Sequence, residues 1–137
     1  MPGNRVPSRL AGVPVAAAPM RKLLHTVDAA LTPGSPVSDI WQLTDAATAA
    51  VRAGRGHVLD TSHVIFPNGA VTLVLILAES HLAIHTWPEE NLIAIDLFSC
   101  GAIDADRVTG ELVRLLRLTD ARMQRLDRAA GRAAAHR

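Results

Sequence analysis

The 137-residue sequence predicts an α+β fold: a two-layer sandwich, an antiparallel sheet with two helices on one face. Three observations carry that expectation. Two stretches, 39–52 and 104–118, repeat apolar residues at spacings of three and four, the period of a helix packed on one side. Between them lie four short runs rich in Val, Ile and Leu, separated by turn residues. Strands that follow one another through turns run antiparallel.

Each element has its own signal. Residues 1–20 are rich in proline and glycine and read as a flexible N-terminal extension, which leaves 21–137 as a single domain. Pro14 and Pro19 interrupt the Ala- and Val-rich stretch before Met20, which ranks a signal peptide below an extension. Residues 22–31 (KLLHTVDAAL) fit a strand closed by Thr32-Pro33-Gly34-Ser35. Ser38 is the expected N-cap of the first helix, where Ile40, Leu43, Ala47 and Val51 share a face and Gly54 marks the end. Residues 57–66 and 71–78 form two runs with Pro67-Asn68-Gly69 between them, a hairpin signal. The second run, VTLVLILA, is almost continuously apolar, as a central buried strand would be. Residues 82–86 and 92–99 are further strands about the turn Pro88-Glu89-Glu90-Asn91. Asp104 or Asp106 caps the second helix, with Val108, Leu112, Leu115 and Leu116 inward. Residues 121–128 fit a strand or a helix equally. A single sheet of this kind leaves an edge or a face to cover, which points to a dimer.

Composition narrows the function classes. With 49% hydrophobic and 20% charged residues the chain is a globular protein, not a disordered one. Its aromatics are Trp41, Trp87, Phe66 and Phe98, so the core must be aliphatic. A net charge of +1 makes no case for nucleic acid, and the excess of three positive charges over 103–137 reads as a solvated basic face. No apolar run approaches the ~18 residues of a membrane span. The single cysteine, Cys100, allows no disulfide within the chain and suits a reducing cytoplasm. By count alone it is a core filler more often than a reactive thiol.

The chemistry-bearing side chains gather in one stretch: Glu79, Ser80, His81, His85, Glu89, Asp96 and Cys100. Three readings compete there. His81 and His85 have the spacing of a zinc-binding helix, but their neighbours favour a strand, on which they lie about 13 Å apart. Ser80, His85 and Asp96 could serve as a hydrolytic triad, yet no nucleophile elbow surrounds Ser80. Third, Ser80 can act on its own backbone. Its Oγ attacks the preceding carbonyl, the amide becomes an ester, a base removes Hα, and elimination breaks the chain to leave a pyruvoyl group. That route needs a serine at a strained turn with oxyanion-stabilising donors and a base. Residue types alone leave all three open.

The string Glu79-Ser80-His81-Leu82-Ala83-Ile84-His85-Thr86-Trp87-Pro88-Glu89 resembles the processing motif of prokaryotic, pyruvoyl-dependent S-adenosylmethionine decarboxylase proenzymes. Asp96 and the pair Cys100-Gly101 follow at the family's spacing. Weaker similarity extends over roughly 22–130 and includes His63 and Phe66-Pro67-Asn68-Gly69. The chain departs from the pattern in placing both Ala70 and Val71 between Gly69 and Thr72. It also carries Ile65 where an aromatic is common, with Phe66 one position later.

The resemblance implies cleavage of the Glu79–Ser80 bond into a β chain (1–79) and an α chain (80–137) headed by a pyruvoyl cofactor made from Ser80. It makes His85 the processing base, supported by the Thr72 hydroxyl, and Cys100 the proton donor in turnover. Glu89 would hold the substrate's ribose, with Trp87 and Phe66 against its adenine. No metal is implied. The activity would be decarboxylation of S-adenosylmethionine, through a Schiff base, for spermidine synthesis. The partner would be a small-molecule substrate, without nucleic acid or membrane, in a cytoplasmic homodimer of processed protomers with active sites at the interface. The rivals are the same chemistry on arginine or ornithine, and an unprocessed nucleoside-binding homologue.

Overall fold

A computed structural model of the chain describes residues 20–129. The expected extension over 1–20 lies, apart from Met20, outside the described residues. Eight principal elements follow in the order β1 (Lys22–Ala30), α1 (Ile40–Ala53), β2 (Val58–Ile65), β3 (Val71–Leu77), β4 (Ser80–Trp87), β5 (Leu92–Cys100), α2 (Ala105–Leu115) and β6 (Thr119–Arg128). The six strands form one sheet in the order β2-β3-β4-β5-β1-β6, and every neighbouring pair is antiparallel. Among the described residues no helix is long and apolar enough to cross a membrane.

Alternation along the strands sends one side chain in two into the core. Leu73 and Leu75 of β3, Leu82 and Ile84 of β4, and Ile93, Ile95 and Leu97 of β5 are fully buried. They meet Leu43, Ala47 and Val51 of α1 and Val108 and Leu112 of α2, the residues whose helical spacing marked them in the sequence. Leu115 is only partly buried, whereas Thr109 is wholly so and turns its hydroxyl back to the carbonyl of Ala105.

Two expectations need correction. Ser38 is not the cap of α1: Pro36–Ser38 forms a 3₁₀ turn, and Asp39 accepts from the N–H groups of Trp41 (2.9 Å) and Gln42 (3.2 Å). Proline favours the first position of a helical turn, so the chain turns before the true cap. For α2 the choice falls on Asp104, which accepts from Arg107 N–H at 3.0 Å. Second, β3 is interior to the sheet yet buried on one face only. Val74 is half-buried and Ile76 is 48% exposed on the side away from the helices. Among the described residues nothing covers that second face, where Leu24, Trp87, Phe98 and Leu126 also lie.

The segment 121–128, which fitted a strand or a helix, lies in β6, paired to β1. His25 is buried, with Nε2 3.3 Å from the Asp106 carboxylate, and His63 meets Trp41 edge-on.

Glycines lock the helix ends to each other. A Cβ on Gly54 would lie 2.6 Å from the carbonyl oxygen of Asp104, and one on Gly56 would lie 2.7 Å from side chains of Val51 and Ile103. Gly54 O accepts from Asp104 N–H at 2.8 Å, so the end of α1 and the start of α2 form one junction, from which Gly56 leads into β2.

Candidate active site

Ser80 is the first residue of β4, joined to β3 by the two-residue turn Ala78-Glu79, and it pairs across the hairpin with Leu77. The reversal ends in a backbone conformation usually left to glycine. Here a serine carries it: Ser80 has φ +139°. Such a backbone costs roughly 1–3 kcal/mol and persists only where the surroundings impose it.

The surroundings grip the peptide unit just before Ser80. The carbonyl oxygen of Glu79 accepts from the N–H of Cys100 at 3.0 Å, with the Cys100 Sγ at 3.5 Å. The Glu79 carboxylate is nearly buried and accepts from the N–H of His57 at 2.9 Å, while its other oxygen lies 2.8 Å from His57 Nδ1. Ala78 N–H donates to the carbonyl of His57 at 3.0 Å. Two positions far apart in sequence, His57 and Cys100, thus hold the turn that carries this peptide bond.

A second group forms at the other end of β4. Thr72 and His85 face each other in the β3–β4 register, with Thr72 Oγ1 3.2 Å from His85 Nδ1. The His85 and Trp87 rings lie 6.1 Å apart. Phe66, Asn68, Thr72, His85, Trp87 and Glu89 line a cavity of about 580 Å3, within the range of small-molecule sites. Asn68 Nδ2 donates to the Glu89 carboxylate at 3.3 Å across its mouth.

The residues singled out in the sequence therefore fall into two groups. Glu79, Ser80 and Cys100 make one, and Phe66, Thr72, His85, Trp87 and Glu89 make the other. His85 stands five residues along the strand from Ser80, about 16 Å away within this chain. No triad of Ser80, His85 and Asp96 can close there. Asp96 sits mid-strand on β5, opposite Ala83 and Thr26. His81 and His85 share one face of β4 at strand spacing, and among the described residues no group of three His, Cys, Asp or Glu could hold a metal ion.

Sequence reasoning missed two contributors. Asn68 stands in the sequence as a turn residue within the weaker similarity, and its contact with Glu89, 21 positions on, is not visible locally. His57 lies 22 positions before Glu79, and nothing in its surroundings in the sequence marks it.

Fold and turn together define a two-layer α+β protein that presents a strained serine at a β-hairpin. The family model for S-adenosylmethionine decarboxylase matches residues 24–129, and the chain belongs to that family. The S-adenosylmethionine decarboxylase proenzyme of Acidithiobacillus ferrooxidans is 47% identical over 87 residues, covering 61% of this chain and 65% of that protein. The S-adenosylmethionine decarboxylase proenzyme 2 of Bacillus anthracis is 34% identical over 98 residues, 71% of this chain and 80% of that one. The chain thus spans just under two thirds of the Acidithiobacillus relative's length. In three dimensions it is similar to the crystal structure of the adenosylmethionine decarboxylase from Aquifex aeolicus. The TM-score is 0.71 at 24% identity, covering 80% of this chain and 91% of that one.

Proposed function

We propose that the chain is a self-cleaving proenzyme whose Ser80 becomes a pyruvoyl group, and that the processed protein decarboxylates S-adenosylmethionine. The observation that carries the proposal is the strained Ser80, with the carbonyl it must attack already held on the Cys100 N–H.

Ser80 Oγ adds to the Glu79 carbonyl carbon, and the developing oxyanion keeps the hydrogen bond from Cys100 N–H. Such a donor in place before reaction typically contributes about 10²–10³-fold in rate. The C–N bond breaks, an ester forms, and the hydroxyl proton passes to the freed amine. Strain at φ +139° favours this step because the ester no longer imposes the turn. A base then takes the Ser80 Hα, and the ester oxygen leaves as the new α-carboxylate of Glu79. The dehydroalanine left behind tautomerises to an imine, and water releases ammonia to give the pyruvoyl group.

The base is the His85 imidazole, supported by Thr72. Since His85 lies about 16 Å from Ser80 along its own strand, it serves the Ser80 of a second copy. The uncovered sheet face, which bears His85, Trp87 and the exposed apolar residues, is where that copy docks. Each active site then joins the Ser80–Cys100 group of one copy to the cavity of the other, and the homodimer is the working unit.

In turnover the pyruvoyl carbonyl supplies an electron sink for the carbon that loses CO₂. The Cys100 thiol, beside the same turn, returns a proton to that carbon. The Glu89 carboxylate, steadied by Asn68, accepts from the ribose hydroxyls, and Trp87 and Phe66 flank the adenine.

Intact-mass spectrometry of denatured wild-type protein is expected to give two fragments meeting at residues 79 and 80, the second beginning with pyruvate. Ser80→Ala should remain whole. Co-expressing Ser80→Ala with His85→Ala should restore cleavage of the His85→Ala chain, because one site of the mixed dimer is intact. CO₂ release should be seen from S-adenosylmethionine and not from arginine or ornithine. A wild-type chain that stays whole on long incubation would leave a nucleoside-binding homologue instead.

A further inference from the structure

Self-cleavage needs the Glu79 carbonyl to stay on its donor while the backbone around Ser80 is strained, and one residue outside the motif is placed to ensure this. We propose that His57 is a positioning residue for cleavage of the Glu79–Ser80 bond, holding the Glu79 carboxylate and the Ala78-Glu79 turn from both sides. The proposal rests on the self-cleavage reading above and deepens it.

His57 makes three contacts to a two-residue turn. Its N–H donates to one oxygen of the Glu79 carboxylate at 2.9 Å, its Nδ1 lies 2.8 Å from the other, and its carbonyl accepts from Ala78 N–H at 3.0 Å. A carboxylate only accepts, so the Nδ1 contact places a proton on that nitrogen. Hydrogen bonds to a charged group of this geometry are the stronger kind. The carboxylate is nearly buried, whereas the imidazole is about half exposed, so the ring covers the carboxylate from solvent.

The anchor is itself rigid. Gly56, just before His57, donates to Val51 O at 2.8 Å and packs too closely against Val51 and Ile103 for any side chain. From the other side, Cys100 N–H holds the Glu79 carbonyl at 3.0 Å. Side chain and carbonyl of Glu79 are therefore pinned by different segments, His57 just before β2 and Cys100 at the end of β5, which leaves the Glu79–Ser80 peptide little freedom to rotate and relieve the strain at Ser80. Freed from His57, the turn can relax and take the carbonyl off the Cys100 amide. His57 does not touch the reacting atoms; it acts through Glu79.

Conversion of full-length chain into fragments, followed by intact mass after rapid purification, tests the proposal. His57→Ala should slow cleavage about tenfold or more, the effect of losing a hydrogen bond to a charged group. Its thermal midpoint should stay within a few degrees of wild type, because the imidazole is about half exposed. His57→Asn places an amide N–H where Nδ1–H stood and should recover most of the rate. Glu79→Ala should be slowed to a similar degree, and the double variant His57→Ala/Glu79→Ala no further, the mark of two residues acting through one contact. Wild-type cleavage in His57→Ala, no recovery in His57→Asn, or additive losses in the double variant overturns the proposal and leaves the self-cleavage reading standing. A wild-type chain that never cleaves overturns both.

Discussion

At the scale of single residues, the serine's backbone is as informative as its hydroxyl. Positive φ at Ser80 is a cost that a side-chain-bearing residue incurs and glycine does not. In the uncleaved chain Ser80→Gly should therefore be more stable than Ser80→Ala by about 1 kcal/mol. Urea unfolding of the two non-cleaving variants measures this, and equal midpoints would mean that the turn is not strained. Cys100 shows a different economy: one residue places both a backbone N–H and a thiol against the same carbonyl oxygen. A lone cysteine in a list of residues reads as core, and only the pairing of Ser80 with Ser99 across β4 and β5 brings Cys100 to Glu79.

At the scale of elements, periodicity made most of the fold legible. Ile40, Leu43, Ala47 and Val51 are buried as their spacing requires, and Gly54 ends α1. The cap was misread by one residue, since Ser38 and Asp39 are both good N-cap types and local preference does not separate them. The structure does. Asp39→Ala should cost about 1 kcal/mol of stability, while Ser38→Ala should cost only a few tenths. Chemical denaturation of the pair tells them apart, and equal losses would count against the cap assigned to Asp39. Strand β3 shows the opposite limit. An unbroken apolar run implies two covered faces, and the described residues supply helices for one only. Apolar pattern alone does not tell a strand covered on one face from one covered on both.

At the scale of the molecule, the proposed dimer accounts for the open sheet face and the divided site together. The two groups of residues stand at opposite ends of β4, and in the dimer proposed above a second copy laid on the exposed apolar face would bring them together. Ile76, 48% exposed on that face and remote from the α1–α2 core, offers a clean test. Ile76→Lys should fold but lose pairing, because two desolvated ammonium groups would face the interface. Sedimentation should show the single chain, and cleavage should fall with the loss of His85 from the partner. A variant that stays single yet cleaves at the wild-type rate would place the base within one chain.

What the sequence by itself determined is everything written in local patterns. Helix faces follow from spacings of three and four, the β2–β3 hairpin from Asn68-Gly69, and the motif residues from their fixed separations. Each depends on neighbours a few positions away, so a linear reading suffices. Only the tertiary structure decided which of those residues share a site. Register alone sets Cys100 on Glu79 and Thr72 on His85, and it separates Ser80 from His85. His57 reaches Glu79 because a glycine junction at the end of two helices fixes where β2 begins. Contacts between segments about twenty residues apart come from packing, and no short-range preference of the chain encodes them.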